Sequence, residues 1–179
     1  MRIKSPRQAM AAGLALLTED RKEEGLILPM TLTHNVTLTH LQRMLQAGLI
    51  SFRQEAAQAR SFVERLRIVP PDATRPAESF SGGNQQKIVF AKWLGIEPKV
   101  LLLDEPTRGI DVGAKVEIFE LINRFVASGG AVLMISSELP ELLAMADRIV
   151  VLCRGRITGA LERPEFTQEK ILHFATGGA

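Results

Sequence analysis

Val100-Leu101-Leu102-Leu103, followed at once by Asp104-Glu105-Pro106, most restricts how this chain can fold. Consecutive apolar residues with no polar alternation mark a short strand covered on both faces. Such strands belong to parallel sheets flanked by helices. The two carboxylates then fall at the carboxyl end of the strand, where parallel sheets place their ligand sites. The neighbouring segments repeat the alternation. A short helix and strand span 7–16, with Gly13 as the break. A helix covers 113–128 and ends at Gly129-Gly130. A second buried strand is expected over Ala131 to Ile135, a short helix over 139–146 and a third strand over Ile149 to Cys153. Arg154-Gly155-Arg156 turns into Ile157 to Leu161.

The middle of the chain has a different period. Residues 33–48 place Val36, Leu38, Leu41, Met44 and Leu45 at spacings that suit a helix. Residues 52–67 do so with Phe52, Ala56, Ala59, Val63 and Leu66, and Pro70-Pro71 stops them. A proline-rich loop over 70–80 leads to Ser81-Gly82-Gly83, which opens a helix to about Trp93. The fold expected is α/β, with a mostly parallel sheet and a separate all-helical insert. Glu19 to Gly25 reads as a charged, solvated loop.

Composition excludes several classes. Lys and Arg number 22 against 20 Asp and Glu, a net charge of +2, too mild to argue for nucleic acid. Cys153 is the only cysteine, so no internal disulfide forms, and its apolar strand makes it a core residue. His34, His40 and His173 lack zinc spacing; the first two read as polar positions on a helix and its entry. Apolar runs such as Ala9 to Leu17 are too short to span a bilayer, and the first residues lack a signal-peptide core. Trp93 reads as core packing, and Arg154 and Arg156 as surface charges.

Two segments carry chemistry. At the end of its strand, Asp104 can hold Mg²⁺ directly or through water, and Glu105 can polarise an attacking water. The same pair could equally cap the following helix. In Ser81-Gly82-Gly83-Asn84-Gln85-Gln86-Lys87, successive N–H groups at a helix start make an anion site, and the glycines let phosphate approach. Ser81 could equally be a plain N-cap, worth ~1 kcal/mol.

Taken together, SGGNQQK, a helix, LLLDEP and then Thr107-Arg108-Gly109-Ile110-Asp111 resemble the ATP-binding cassette (ABC) family. The first resembles its signature loop, the second its Walker B strand, and Asp111 its D-loop aspartate. Glu19-Asp20-Arg21-Lys22, Thr107 to Lys115, Ser136-Ser137-Glu138 and the closing Ala175-Thr176-Gly177-Gly178 resemble the second cassette of tandem ATPase subunits that drive bacterial monosaccharide import. The resemblance implies a three-layer P-loop NTPase-like sheet, incomplete here, with the helical subdomain inserted. It implies one partial nucleotide-binding domain over 1–179, its helical subdomain about 30–97 and its Walker B and C-terminal α/β part about 98–179. ATP and Mg²⁺ are the implied cofactors, with Asp104 toward the metal, Glu105 toward water, and Ser81, Gly82, Gly83, Asn84 and Gln85 toward the γ-phosphate on another cassette. Glu19 sits at the Q-loop position and Ser137 at the switch-histidine position. A serine cannot act as a protonatable imidazole.

The implied partners are a second cassette, integral-membrane permease subunits met by the loop from Glu19 to Met30, and indirectly an external sugar-binding protein, with this chain at the cytoplasmic face of the membrane. No nucleic-acid partner is expected. The chain has no Gly-Lys dipeptide, so the G-x-x-x-x-G-K-[S/T] loop that cradles phosphates is not among these residues. The expectation is a cassette lacking that front portion. Such a chain acts as the ATP-binding part of a sugar importer, or alternatively as a module that docks on a permease or partner cassette without hydrolysing ATP. Missing strands are also expected to leave Val100 to Leu103 short of a neighbour, with apolar surface exposed.

Overall fold

The structure, a computed structural model, describes residues 2–178. The chain divides into two compact units, one ending at Ile135 and the other starting at Ser136.

The first unit is built on a parallel sheet of order β1-β4-β5, formed by Leu14–Leu17, Val100–Asp104 and Ala131–Ile135. Helix α1 (Pro6–Ala11) precedes β1, and Gly13, at φ +82°, makes the turn between them. In register, Leu16 lies beside Leu102 and Leu102 beside Leu133. Ala15, Leu17, Leu101 and Leu103 point to the other face and are buried. Helices α4 (Gly82–Leu94) and α5 (Val112–Ala127) contribute Ile88, Val89, Phe90, Ile118 and Leu121 to the same core.

The sequence expectation of strands covered on both faces is therefore corrected. Leu16, Leu133 and Ile135 are 47%, 61% and 56% exposed and lie on one face. An apolar run records the chemistry of the residues but not whether a second layer covers them. Nor does β4 lack a neighbour: β1 and β5 flank it, and among the described residues the unpaired edges are theirs. An exposed apolar face of this kind favours association. The 179-residue chain is expected to bind an apolar fluorescent dye and to self-associate, and Leu133→Lys to reduce both. A monomer that binds no dye would contradict this.

The helical stretch contains α2 (Leu32–Thr37), a 3₁₀ segment (Leu38–Met44), a two-strand hairpin of β2 (Leu45–Gln46) and β3 (Leu49–Ile50), and α3 (Phe52–Arg65). The single helix expected over 33–48 is thus interrupted. His40 leaves helical geometry at φ −138°, and Ala47 and Gly48 both have positive φ, the requirement of a tight two-residue hairpin turn. Inside the bundle, the Thr37 hydroxyl donates to the buried Glu55 carboxylate at 2.7 Å.

His40 is buried rather than on a polar face. Burial, with Arg43 nearby, holds its imidazole below the usual range. The folded state therefore favours neutral His40 while the unfolded chain protonates near pH 6.5. This contribution to stability is complete above about pH 6.5 and is lost as pH falls below it. Urea midpoints are expected to drop between about pH 7.5 and 5.5, and His40→Gln to flatten that drop. An unchanged pH slope in the variant would refute the assignment.

The second unit holds α6 (Leu139–Met145), an antiparallel pair β6 (Arg148–Cys153) and β7 (Arg156–Glu162), and α7 (Gln168–Ala175). Arg154 and Gly155, both at positive φ, make the expected turn. Ile149, Val151, Leu161 and Ile171 form its core with Leu142, Phe166 and Phe174 around them. Cys153 is half-buried at the end of β6. Helix α7 was not anticipated from the sequence; Thr167 caps it by accepting from the Lys170 N–H at 3.2 Å. No helix of the described residues is long and apolar enough to cross a membrane.

Candidate functional site

The carboxyl ends of β1 and β4 bring the singled-out segments of the first unit together. Asp104 closes β4, and Glu105 turns away from the strand with φ +47°. A non-glycine residue in that region carries strain of about 1–3 kcal/mol, which the surroundings must hold. Two bonds do so here: the Glu105 N–H donates to the Ile135 carbonyl at 3.0 Å, and the Arg108 N–H to the Glu105 carbonyl at 3.1 Å. Asp104 and Glu105 are half-buried, neither sealed in the core nor fully solvated.

Ser81 is the N-cap of α4. Its hydroxyl accepts from the Asn84 N–H at 3.4 Å and from Asn84 Nδ2 at 3.0 Å. Asn84 Oδ1 in turn accepts from the Val69 N–H at 2.9 Å, which ties the helix start to the preceding loop. Gly83 is buried so closely against α5 that a Cβ there would lie 2.5 Å from Ala114 Cβ. Asp111 caps α5 by accepting from the Ala114 N–H at 2.9 Å. The two capped helix starts line one shallow cleft with Ser81, Gly83, Asn84, Asp111 and Gly113 on its walls. Both helix starts present backbone N–H groups and positive dipole ends. Gln85 stands apart from this cleft: its side chain is buried and donates to the Ala77 carbonyl at 3.2 Å.

Lys87 lies one turn along α4, with its side chain buried. Its ammonium bonds the Arg67 carbonyl at 2.9 Å and Glu117 of α5 at 2.7 Å. This bridge and the Gly83–Ala114 contact hold α4 and α5 together beside the cleft.

Glu19, after β1, pairs with Arg108. Asp20 caps the next turn, accepting from the N–H groups of Lys22 and Glu23 at 2.9 and 3.1 Å. Arg21–Gly25 is not a plain solvated loop but a π-helical turn, and its last carbonyl accepts from the buried Lys92 ammonium. Burial pulls Lys92 below the usual lysine range. Further on, fully buried Asn35 accepts from the Ile27 N–H at 2.8 Å and donates to the carbonyls of Ile27, Met30 and Thr31, so one side chain shapes the 27–31 loop. Lys92 and Asn35 carried no sequence signal, because each acts through backbone groups, and Lys87 closes the singled-out SGGNQQK segment with no sign there of its partners Arg67 and Glu117.

Ser137 belongs to the second unit, exposed just before α6. Beside it, the Ser136 hydroxyl donates to Glu141 at 2.8 Å and accepts from the Glu138 N–H at 3.1 Å.

The chain is similar to known proteins in both sequence and fold. It is 49% identical over 178 residues to the ribose import ATP-binding protein of Geobacillus kaustophilus, covering 99% of this chain and 36% of that protein. It is 50% identical over 178 residues to the xylose import ATP-binding protein of Moorella thermoacetica, covering 99% of this chain and 35% of the relative. The chain thus spans about a third of the length of these curated relatives. In fold it matches an ATP-binding cassette of an ABC transporter in its ADP conformation, with a TM-score of 0.77 at 19% identity, over 97% of this chain and 72% of that one. A dimeric cassette structure described as a post-hydrolysis state bound to ADP and Pi matches at a TM-score of 0.73 and 18% identity, over 92% and 69% of the two chains. The ABC transporter family model matches residues 6–108, more than half of the chain, and the chain belongs to that family.

Proposed function

We propose that these residues form the part of a sugar importer's ATP-binding subunit that offers a signature loop and a Walker B strand end, in the manner of a second cassette whose phosphate-cradling loop lies outside the 179 residues. The convergence of Ser81–Gly83 and Asp111 on one cleft, chain-adjacent to Asp104–Glu105, carries this reading. The names of the ribose and xylose relatives support the substrate class.

The donor set suits Mg²⁺. Among the described residues no group of three or more His, Cys, Asp or Glu side chains gathers to hold a metal. One carboxylate at a strand end, with phosphate oxygens and water completing the shell, is how Mg²⁺ is usually held. Asp104 would take that place, and bound Mg²⁺ would neutralise charge on phosphate oxygens. Glu105 would orient a water and accept its proton. The α4 start would direct its N–H groups at phosphate held by another cassette, since this chain has no Gly-Lys sequence to hold its own. Glu19 and the 27–31 loop would meet permease subunits at the cytoplasmic face of the membrane. Ser137 would occupy the switch position without titrating.

The test is ATP turnover of the subunit containing these residues, reconstituted in lipid vesicles with its permease. Turnover stimulated by a sugar-loaded binding protein is expected; absence of stimulation by any pentose or hexose would overturn the reading. The alternative is a module that docks on a permease or partner cassette without hydrolysing ATP. Sugar uptake unaffected by Glu105→Gln would select it.

A further inference from the structure

One side chain joins the loop after β1 to both halves of the candidate site. Arg21 opens the π-helical turn and extends its guanidinium to the turn that follows Glu105. Nη1 donates to the Arg108 carbonyl at 2.8 Å and Nη2 to the Gly109 carbonyl at 3.2 Å. Gly109 has φ +68°, so this turn leaves the strand in a conformation that supplies no ladder partner for those carbonyls. The same guanidinium lies flush on the start of α4: a Cβ on Gly82 would meet Nη2 at 2.7 Å and the Gly109 carbonyl at 3.1 Å. Arg21 Nε is buried with no hydrogen-bond partner among the described residues, while the residue as a whole is half-buried. Burial pulls the group below the usual guanidinium range, with Asp20 working the other way, and it stays cationic at neutral pH. The far end of the turn is fixed too, with Gly25 packed on Val89 and its carbonyl on Lys92 of α4.

We propose that Arg21 is a positioning residue: its two-pronged bond sets the spacing between the Glu105–Gly109 turn and the Ser81–Gly83 helix start. The role in turnover rests on the ATP-site reading above; the linkage itself does not. A lysine keeps the charge but cannot span two carbonyls with a rigid fork.

Amide hydrogen exchange on the chain with Arg21, Arg21→Lys and Arg21→Ala tests the linkage. Both variants are expected to exchange about tenfold faster at 105–110 and 82–85, with 52–65 unchanged. Wild-type protection of those two segments in Arg21→Lys would overturn the proposal. If Arg21→Ala does not fold, Arg21→Lys decides alone. In the ATP-hydrolysing assembly, Arg21→Lys is expected to lower kcat severalfold and leave KM for ATP unmoved, because Arg21 does not hold the nucleotide. An unchanged kcat would overturn the positioning role. A wild-type assembly that hydrolyses nothing would instead count against the ATPase reading, and the exchange result would still judge the linkage.

Discussion

If Glu105 serves as the proposed base, Glu105→Gln is expected to lower ATP turnover of the assembled transporter by about 10²–10⁴, the usual contribution of a positioned general base, with no matching rise in KM. Glutamine has the same shape and fits the same turn. Two backbone bonds help hold this position, from the Glu105 N–H to Ile135 and from the Arg108 N–H to the Glu105 carbonyl, and glutamine keeps both. The positive φ at Glu105 is therefore kept, and what is lost is the capacity to accept a proton from water. Steady-state kinetics in reconstituted vesicles, with melting of the variant as a control on folding, give the measurement. Turnover within the wild-type range would remove Glu105 from the chemistry.

Gly83→Ala forces α4 away from α5. The added methyl would sit 2.5 Å from Ala114 Cβ, well inside contact distance, and both positions lie on rigid helices near their caps. Overpacking of this kind costs about 1–3 kcal/mol, against which the better helix propensity of alanine returns up to about 1 kcal/mol. Ala114→Gly alone costs about 1 kcal/mol by propensity. The double variant recovers the space, so it should be more stable than the sum of the singles by about 0.5–3 kcal/mol, as for residues in contact. Chemical denaturation of the four proteins in the cycle supplies the values. Strict additivity would mean that α4 and α5 are not packed through this pair.

Much of this was readable from local chemistry. The strand at 100–103, the cap at Ser81 and the Arg154-Gly155 turn depend on short-range patterns, and the structure places each where the pattern does; the cap of α5 is Asp111 and not the Asp104-Glu105 pair. What could not be read depends on distant partners. The exposure of Leu16, Leu133 and Ile135 is set by whether a layer covers them, which their own hydrophobicity does not reveal. Residues 33–48 had helical spacing, yet the Ala47-Gly48 turn and the kink at His40 divide them. In the site, the glycines and carboxylates were conspicuous. The bonding of Arg21 was not, because its acceptors are carbonyls 87 and 88 residues away and a carbonyl has no sequence signature.

On the proposed reading, the start of α4 meets the phosphate of ATP held by another cassette. Sedimentation of the Glu105→Gln chain mixed with a cassette bearing a phosphate-cradling loop tests it most directly. Association is expected only when ATP is present, and Ser81→Arg should abolish it while ATP still binds the partner. Association with the partner cassette that needs no ATP, or that survives Ser81→Arg, would contradict this role of the α4 start.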